Sequence, residues 1–200
     1  MSPPPALPWL DAVPLATRRL VLRRPGFADV PRLALYAGDL AVARMLVAVP
    51  HPYGEAHASA FIGDVLASNL TGSSLALAVA RQKEPHALIG MISYSREGRG
   101  ATIGWWLGRP YWGRGFATEA VTAMAGLAFL DPQIDALVAG AFADNPGSLR
   151  VQEKTGFVRT GQSLRRSAAR GAEVVQIDMR LSRIAFAALS GRAPGAMGRG

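Results

Sequence analysis

The chain has 200 residues, half of them hydrophobic and none of them cysteine. That is enough for one domain with a sizeable core, and it excludes a disulfide framework, a thiolate nucleophile and a Cys-based metal site. Lys and Arg number 22 against 14 Asp and Glu, and the net charge of +8 suits an anionic cofactor, acidic partners or an RNA-rich particle without choosing among them. The first residues lack the basic and apolar regions of a signal peptide, and no stretch is long and apolar enough to span a bilayer, so the expectation is a cytoplasmic protein with no membrane partner.

Residues 1–14 are proline-rich and read as an irregular lead-in; a single domain is expected over 15–183, and the tail over 184–200 is frayed or helical only at 184–189. Within 15–24, Leu20 and Leu22 alternate with Arg19, Val21 and Arg23, which predicts a first strand ended by Pro25-Gly26. Asp29 stands where a helix cap belongs. Val30, Leu33, Ala34 and Ala37 follow it at helical spacing, and Val42, Met45 and Leu46 predict a second short helix. After a rigid loop at 50–54, Ala58, Phe61, Ile62, Val65 and Leu66 place a third helix over 55–70. Strands at 74–81 and 88–94 flank a polar turn at 82–86, and 96–100 makes the next turn.

A strand at 101–107 then leads into a glycine-rich segment and a helix that Asp131-Pro132 ends. A further strand at 134–143 is followed by a short helix at 146–155, with Gly156 as its left-handed stop. The last strands, 157–162 and 173–181, are joined by a basic loop at 165–170. This order predicts a mixed α/β fold: a mixed, mostly antiparallel sheet with helices on both faces and one parallel crossover, from strand 102–107 through a helix to strand 134–143. There is no internal repeat.

The chain is organised around Arg109-Pro110-Tyr111-Trp112-Gly113-Arg114-Gly115-Phe116-Ala117-Thr118-Glu119-Ala120. The β-branched and aromatic period before it gives way to helical spacing at Ala117, Ala120, Val121, Met124 and Ala128. A helix start offers amide N–H groups without intrahelical partners and the positive end of the dipole, so anionic oxygens are favoured there. Gly113 and Gly115 allow close backbone approach, and Arg109 and Arg114 add charge. The segment therefore reads as a phosphate cradle, with an ordinary strand-to-helix turn as the alternative. No Gly-Lys-Ser/Thr occurs, which excludes a P-loop. A Rossmann domain would repeat its βαβ unit, and nothing before Thr102 does so.

Arg109-x-x-x-Gly113-x-Gly115-x-Ala117, with Ile103-Gly104-Trp105-Trp106-Leu107 before it and Thr118-Glu119-Ala120 after it, resembles the acetyl-CoA-binding motif of the GCN5-related N-acetyltransferases (GNAT). Asn145-Pro146-Gly147-Ser148 and Glu153-Lys154-Thr155-Gly156-Phe157 are similar to the N-x-x-S…EK-x-GF segment of the RimJ/RimL branch, which acetylates ribosomal-protein N-termini. Thr17-Arg18-Arg19-Leu20-Val21-Leu22-Arg23 resembles that branch's first strand. The resemblance implies that the two parallel strands splay, and that Ile103, Trp105, Trp106 and Leu107 line the cofactor's pantetheine arm. It implies that Arg109, Gly113, Arg114, Gly115, Phe116, Ala117 and Thr118 hold its phosphates, and that Asn145 and Ser148 face the thioester.

The reaction so implied is direct attack of a neutral amine on acetyl-CoA in a ternary complex, where positioning and oxyanion stabilisation supply most of the rate. Asn145 can cap a helix while presenting an amide, and Ser148, one turn on, faces nearly the same way. Two positions depart from the family: Gln152 stands where many relatives carry a tyrosine acid, and Thr102 where the branch often carries a glutamate. An α-amine with a pKa near 8 needs only about 1 to 1.5 kcal/mol to lose its proton at pH 7, against about 4 to 5 for a lysine amine. The missing carboxylate therefore favours a protein N-terminus, with Glu97, His51, Asp144 or a water relay as the base.

A small amine such as a polyamine, an amino acid or an antibiotic is the alternative acceptor. A non-catalytic acyl-CoA-binding regulator and a basic ribosome-associated module are the alternatives in other classes. No nucleic acid is required, and a homodimer is compatible with the chain. Strand alternation sends Trp105 and Trp106 to opposite faces, against a base-stacking surface. His57 and His86 have no partners at ligand spacing, so no metal is expected. The arginines at 165–170 read as a solvated or substrate-facing patch.

Overall fold

A computed structural model describes residues 12–71 and 74–191; the expected lead-in up to residue 11 and the tail from 192 lie outside the described residues. The strands are β1 (Leu15–Ala16), β2 (Leu20–Arg23), β3 (Ser74–Arg81), β4 (Glu84–Glu97), β5 (Gly100–Leu107), β6 (Ala136–Phe142), β7 (Val158–Ser167) and β8 (Ala172–Ser182). The helices are α1 (Val30–Ala37), α2 (Leu40–Ala43), α3 (Glu55–Thr71), α4 (Phe116–Ala128), α5 (Pro146–Lys154) and α6 (Arg183–Leu189). One eight-stranded sheet runs in the order β1-β2-β3-β4-β5-β6-β8-β7. Its pairs are antiparallel except β5 with β6, joined through α4. This is the mixed sheet with helices on both faces that the sequence predicts.

β3 shows how the two faces are made. In Leu75-Ala76-Leu77-Ala78-Val79 the large side chains turn to one face and the alanines to the other, as the period of two requires. Leu75, Leu77 and Val79 pack in the cluster that holds Phe116, Val121 and Met124 of α4. Ala76 and Ala78 lie against Val30 and Leu33 of α1 and Ala58, Ile62 and Val65 of α3. Small residues on that face let two helices sit close to the strands. The apolar stripe of α3 is narrower than its spacing suggests, since Phe61 is exposed.

Four local expectations are corrected. The single strand over 15–24 is a hairpin, with Leu15 opposite Leu22. Thr17 makes its turn: the Thr17 amide donates to the Leu20 carbonyl at 2.9 Å, and Thr17 Oγ1 accepts from the Leu20 amide at 3.0 Å. Asp29 does not cap α1 with its side chain; it is buried, accepts the Gly26 amide at 3.0 Å and pairs with Arg23 at 2.6 Å. The turn expected at 82–86 shrinks to Gln82-Lys83, because Arg81 and Glu84 pair across it at 2.7 Å and register shifts beside Ala80 carry Glu84 and Pro85 into β4. Arg165 and Arg166 belong to β7, opposite Val174 and Glu173, and the hairpin turns only near Gly171, whose φ is +63°. Gly156, with φ +89°, ends α5 in the left-handed conformation as expected.

Candidate active site

β5 and β6 pair only at Gly100↔Ala136, Ala101↔Leu137 and Thr102↔Val138. Beyond Thr102, β5 stays with β4 while β6 stays with β8, so the two parallel strands part. A cavity of about 640 Å³ opens into the split, a size usual for ligand sites. Gly104, Trp105, Trp106 and Leu107 line it from β5, and Gly140 and Ala141 from β6. The starts of α4 and α5 close one side, and Val42, Met45, Leu46 and Val47 close another.

Gly113 and Gly115, with φ of +71° and +74°, turn the chain into α4, a conformation that only glycine adopts without strain. Gly115 is the N-cap and offers no side-chain acceptor, so the first amides of α4 are left for a ligand. A Cβ at Gly113 would meet nothing within 4 Å. Ala117 and Thr118 also face the cavity, and Phe116 is buried beneath it. Glu119 turns away, accepting from Thr17 Oγ1 at 2.6 Å, the Arg19 amide at 2.7 Å and Arg19 Nε at 2.6 Å. Burial pushes the Glu119 carboxyl up, and these hydrogen bonds more than offset it, leaving it below the ordinary carboxylate value. Arg19 also donates to the Arg114 carbonyl at 3.0 Å, so an arginine of the β1–β2 turn that the sequence reading did not place here braces the loop.

Of the other expected residues, Ile103 is buried in the core, and Arg109 and Arg114 are exposed and off the cavity wall. The Arg114 guanidinium lies 5.4 Å from the Phe116 ring. Trp105 and Trp106 do turn to opposite faces, the first packing with α4 and the second with α1 and α3. Leu107 already receives Trp112 Nε1 on its carbonyl at 2.7 Å.

Asn145 caps α5, its Oδ1 accepting the Ser148 amide at 3.1 Å, and both residues line the cavity. Gln152, one turn further, is fully buried. Its Nε2 donates to Ser148 Oγ at 3.5 Å, and its Oε1 has no partner among the described residues. Ser148 Oγ thus has its own proton to give.

Two of the expected bases, Asp144 and His51, are not on the wall. Asp144 is held by Arg170 at 2.9 Å and Arg44 at 3.3 Å, and the Arg170 hydrogen bond keeps its carboxyl below the ordinary value. His51 lies off the cavity, and the Glu97 side chain lies outside what is described. Among the described residues no three His, Cys, Asp or Glu side chains gather as metal ligands would, and no helix is long and apolar enough to cross a membrane.

Sequence reasoning missed Val42, Met45, Leu46 and Val47, whose spacing reads only as helix packing, and Arg150 and Lys154, which bring cations to the wall. It also missed Gly140, an isolated glycine in a strand pattern, which is the usual sign of close backbone approach.

A sheet split between two parallel strands, with an uncapped, glycine-started helix facing the split, defines an acyl-CoA N-acyltransferase fold. The chain belongs to the GNAT acetyltransferase family: the profile of the acetyltransferase (GNAT) domain matches residues 19–158. It is an acetyl-CoA-dependent N-acetyltransferase. The uncharacterized N-acetyltransferase p20 of Bacillus licheniformis is 27% identical over 150 residues, which span 74% of this chain and 83% of that protein. Mycobacterium smegmatis RimJ in complex with a CoA disulfide superposes with a TM-score of 0.72 at 18% identity, over 86% of this chain and 90% of its own. RimL, a ribosomal-protein α-N-acetyltransferase in complex with coenzyme A, has a TM-score of 0.72 at 17% identity, over 83% and 95%. At such identities these two structures share the fold.

Proposed function

We propose that this acetyltransferase acts on a protein N-terminal α-amine, and that its cofactor lies along the split with the phosphates at the start of α4. The supporting observation is that the uncapped amides after Gly115, the cations Arg150 and Lys154, the free edge of β5 and the hydroxyl of Ser148 all face one cavity. That set matches a long, flexible, anionic thioester from end to end.

In this reading Gly113, Gly115, Ala117 and Thr118 present backbone to phosphate oxygens, and Arg114 and Arg109 contribute charge from outside the wall. Ser148, with Gln152 donating to its oxygen, turns its proton toward the thioester oxygen or sulfur. The Asn145 NH2, uncommitted among the described residues, stands beside it. Acetyl-CoA supplies the activated acetyl group; the chain supplies alignment and a water-poor, apolar wall of Trp105, Trp106 and Leu107.

Among the described residues the wall carries no Asp, Glu or His. An amine that loses its proton readily suits such a site better than lysine does, which favours an α-amine. RimL, a relative in fold, is named for acetylating a protein N-terminus.

The test is calorimetric titration of acetyl-CoA, followed by coenzyme A release with peptides bearing free or blocked N-termini and with small amines. Transfer to free N-termini alone supports the reading. Transfer confined to small amines overturns the acceptor, and absence of acetyl-CoA binding overturns the assigned cofactor site.

A further inference from the structure

With the cofactor placed as proposed, where α4 begins, the acceptor must reach the split from elsewhere. The pairing register shows where the gap lies. Continuing the β5–β6 register from Thr102↔Val138 brings Gly104 level with Gly140 across the gap. Both glycines fall on the α1–α3 face by strand alternation, and both line the cavity. No side chain from either strand obstructs the split at that level. On the same face Met45, Leu46, Val47 and Trp106 form an apolar wall beside it.

The row continues outward. Ser93 stands opposite Gly104 on one side, and Asp178 stands opposite Gly140 on the other. Asp178 Oδ1 accepts Ser163 Oγ at 3.0 Å and Gln176 Nε2 at 2.8 Å, while Oδ2 has no hydrogen-bond partner among the described residues. The Gln176 side chain is draped over the bare Gly140, where an added Cβ would come within 2.3 Å of its amide. Glycine at 140 is thus what allows Gln176 to reach Asp178 beside the gap. Two other carboxylates near the site are committed to arginine: Asp144 to Arg170 and Arg44, and Glu119 to Arg19. Asp178 forms no ion pair among the described residues. A carboxylate oriented by two neutral donors, half-buried beside an opening and without a cation of its own, is a site for an incoming one.

We propose that Asp178, held by Ser163 and Gln176 beside the gap between Gly104 and Gly140, receives the ammonium group of the acceptor. The chemical class is a protonated primary amine carried on a body with an apolar side, which the wall of Met45, Leu46, Val47 and Trp106 would cover. This inference rests on the acetyltransfer reading and adds the residue that recognises the acceptor.

The test is steady-state acetylation of the best acceptor in the amine and peptide panel by the unmodified chain, Asp178→Asn and Ser163→Ala, with acetyl-CoA affinity and thermal melting measured on each. The expected result for Asp178→Asn is an acceptor KM raised tenfold or more, with acetyl-CoA affinity and melting temperature unchanged. Ser163→Ala should give a rise of only a few fold. An unchanged acceptor KM in Asp178→Asn, or a rise matched by an equal loss of acetyl-CoA affinity, would overturn the proposal while leaving the family reading intact. Failure of the unmodified chain to acetylate any primary amine would overturn the acetyltransfer reading, and this inference with it.

Discussion

The two ends of the β5–β6 pair are built from different chemistry. Where the strands meet, Arg99 and Asp135 pair at 2.7 Å, the Asp135 amide donates to the Arg99 carbonyl at 2.9 Å, and Arg96 pairs with Asp131 at 2.9 Å. Arg183 completes this end, donating to the carbonyls of Phe129 at 2.6 Å and Ile134 at 3.0 Å while its amide reaches the Asp135 carbonyl at 2.9 Å. Where the strands part, the wall holds glycines, tryptophans, two cations and, among the described residues, no carboxylate. Opposite charges close the sheet at one end, and at the other the negative charge is left for a ligand to supply.

The largest effect should come from adding the missing charge. Gly115→Glu places a carboxylate at the uncapped start of α4 and is expected to weaken acetyl-CoA binding about 100-fold or more by calorimetry, roughly 2.7 kcal/mol. Gly115→Ala shares the cost of a positive φ without the charge, so binding retained there would separate electrostatics from strain.

Removing the hydroxyl is next. Ser148→Ala should lower kcat by about 100-fold if Ser148 meets charge that develops only during transfer, with acetyl-CoA affinity within about twofold. A KM effect with kcat unchanged would reduce Ser148 to a binding residue.

Glu119 sits in the first turn of α4 yet faces Arg19 and Thr17, so it tests whether the open end needs a brace. Glu119→Gln should cost about 2 kcal/mol in urea unfolding at neutral pH, since hydrogen bonds to a charged acceptor are lost. Its carboxyl is depressed in the folded chain, so this stabilisation is complete above the ordinary carboxylate range and is lost as pH falls through the folded value. The unmodified chain should therefore lose its advantage over Glu119→Gln in acid. An advantage that persists undiminished below the folded value would contradict the assigned ionisation.

The smallest effect belongs to the closed end. Arg99 and Asp135 are 73% and 50% exposed, and Arg99→Ala should barely move the urea midpoint, with the difference shrinking further in salt. Acetyl-CoA affinity should not change, because the staple lies away from the split. A large loss of binding would show that the two ends are coupled.

Much of this architecture is legible in the chain because it rests on local rules. The glycines at 113 and 115 mark where the backbone must turn left-handed, Asn145 and Ser148 mark a cap, and β3 alternates large and small as a strand covered on both faces must. The errors fall where partners are distant in sequence. Asp29 has the look of a cap, but Arg23 and the Gly26 amide take both its oxygens. Asp144 has the look of a base, but Arg170, far along the chain, neutralises it. Arg109 and Arg114 are legible as cations beside the glycine turn, whereas Arg150 and Lys154 reach the wall from another helix.

Period, turn chemistry and helix capping act over a few residues, so the succession of strands and helices, the parallel crossover and the glycine-started helix could be read from the order of residues alone, while the split came only from the family resemblance. Which carboxylates are neutralised and which cations reach the cavity depend on register and on contacts between segments remote in the chain. Those contacts exist only once the sheet has closed at Thr102↔Val138 and parted beyond it.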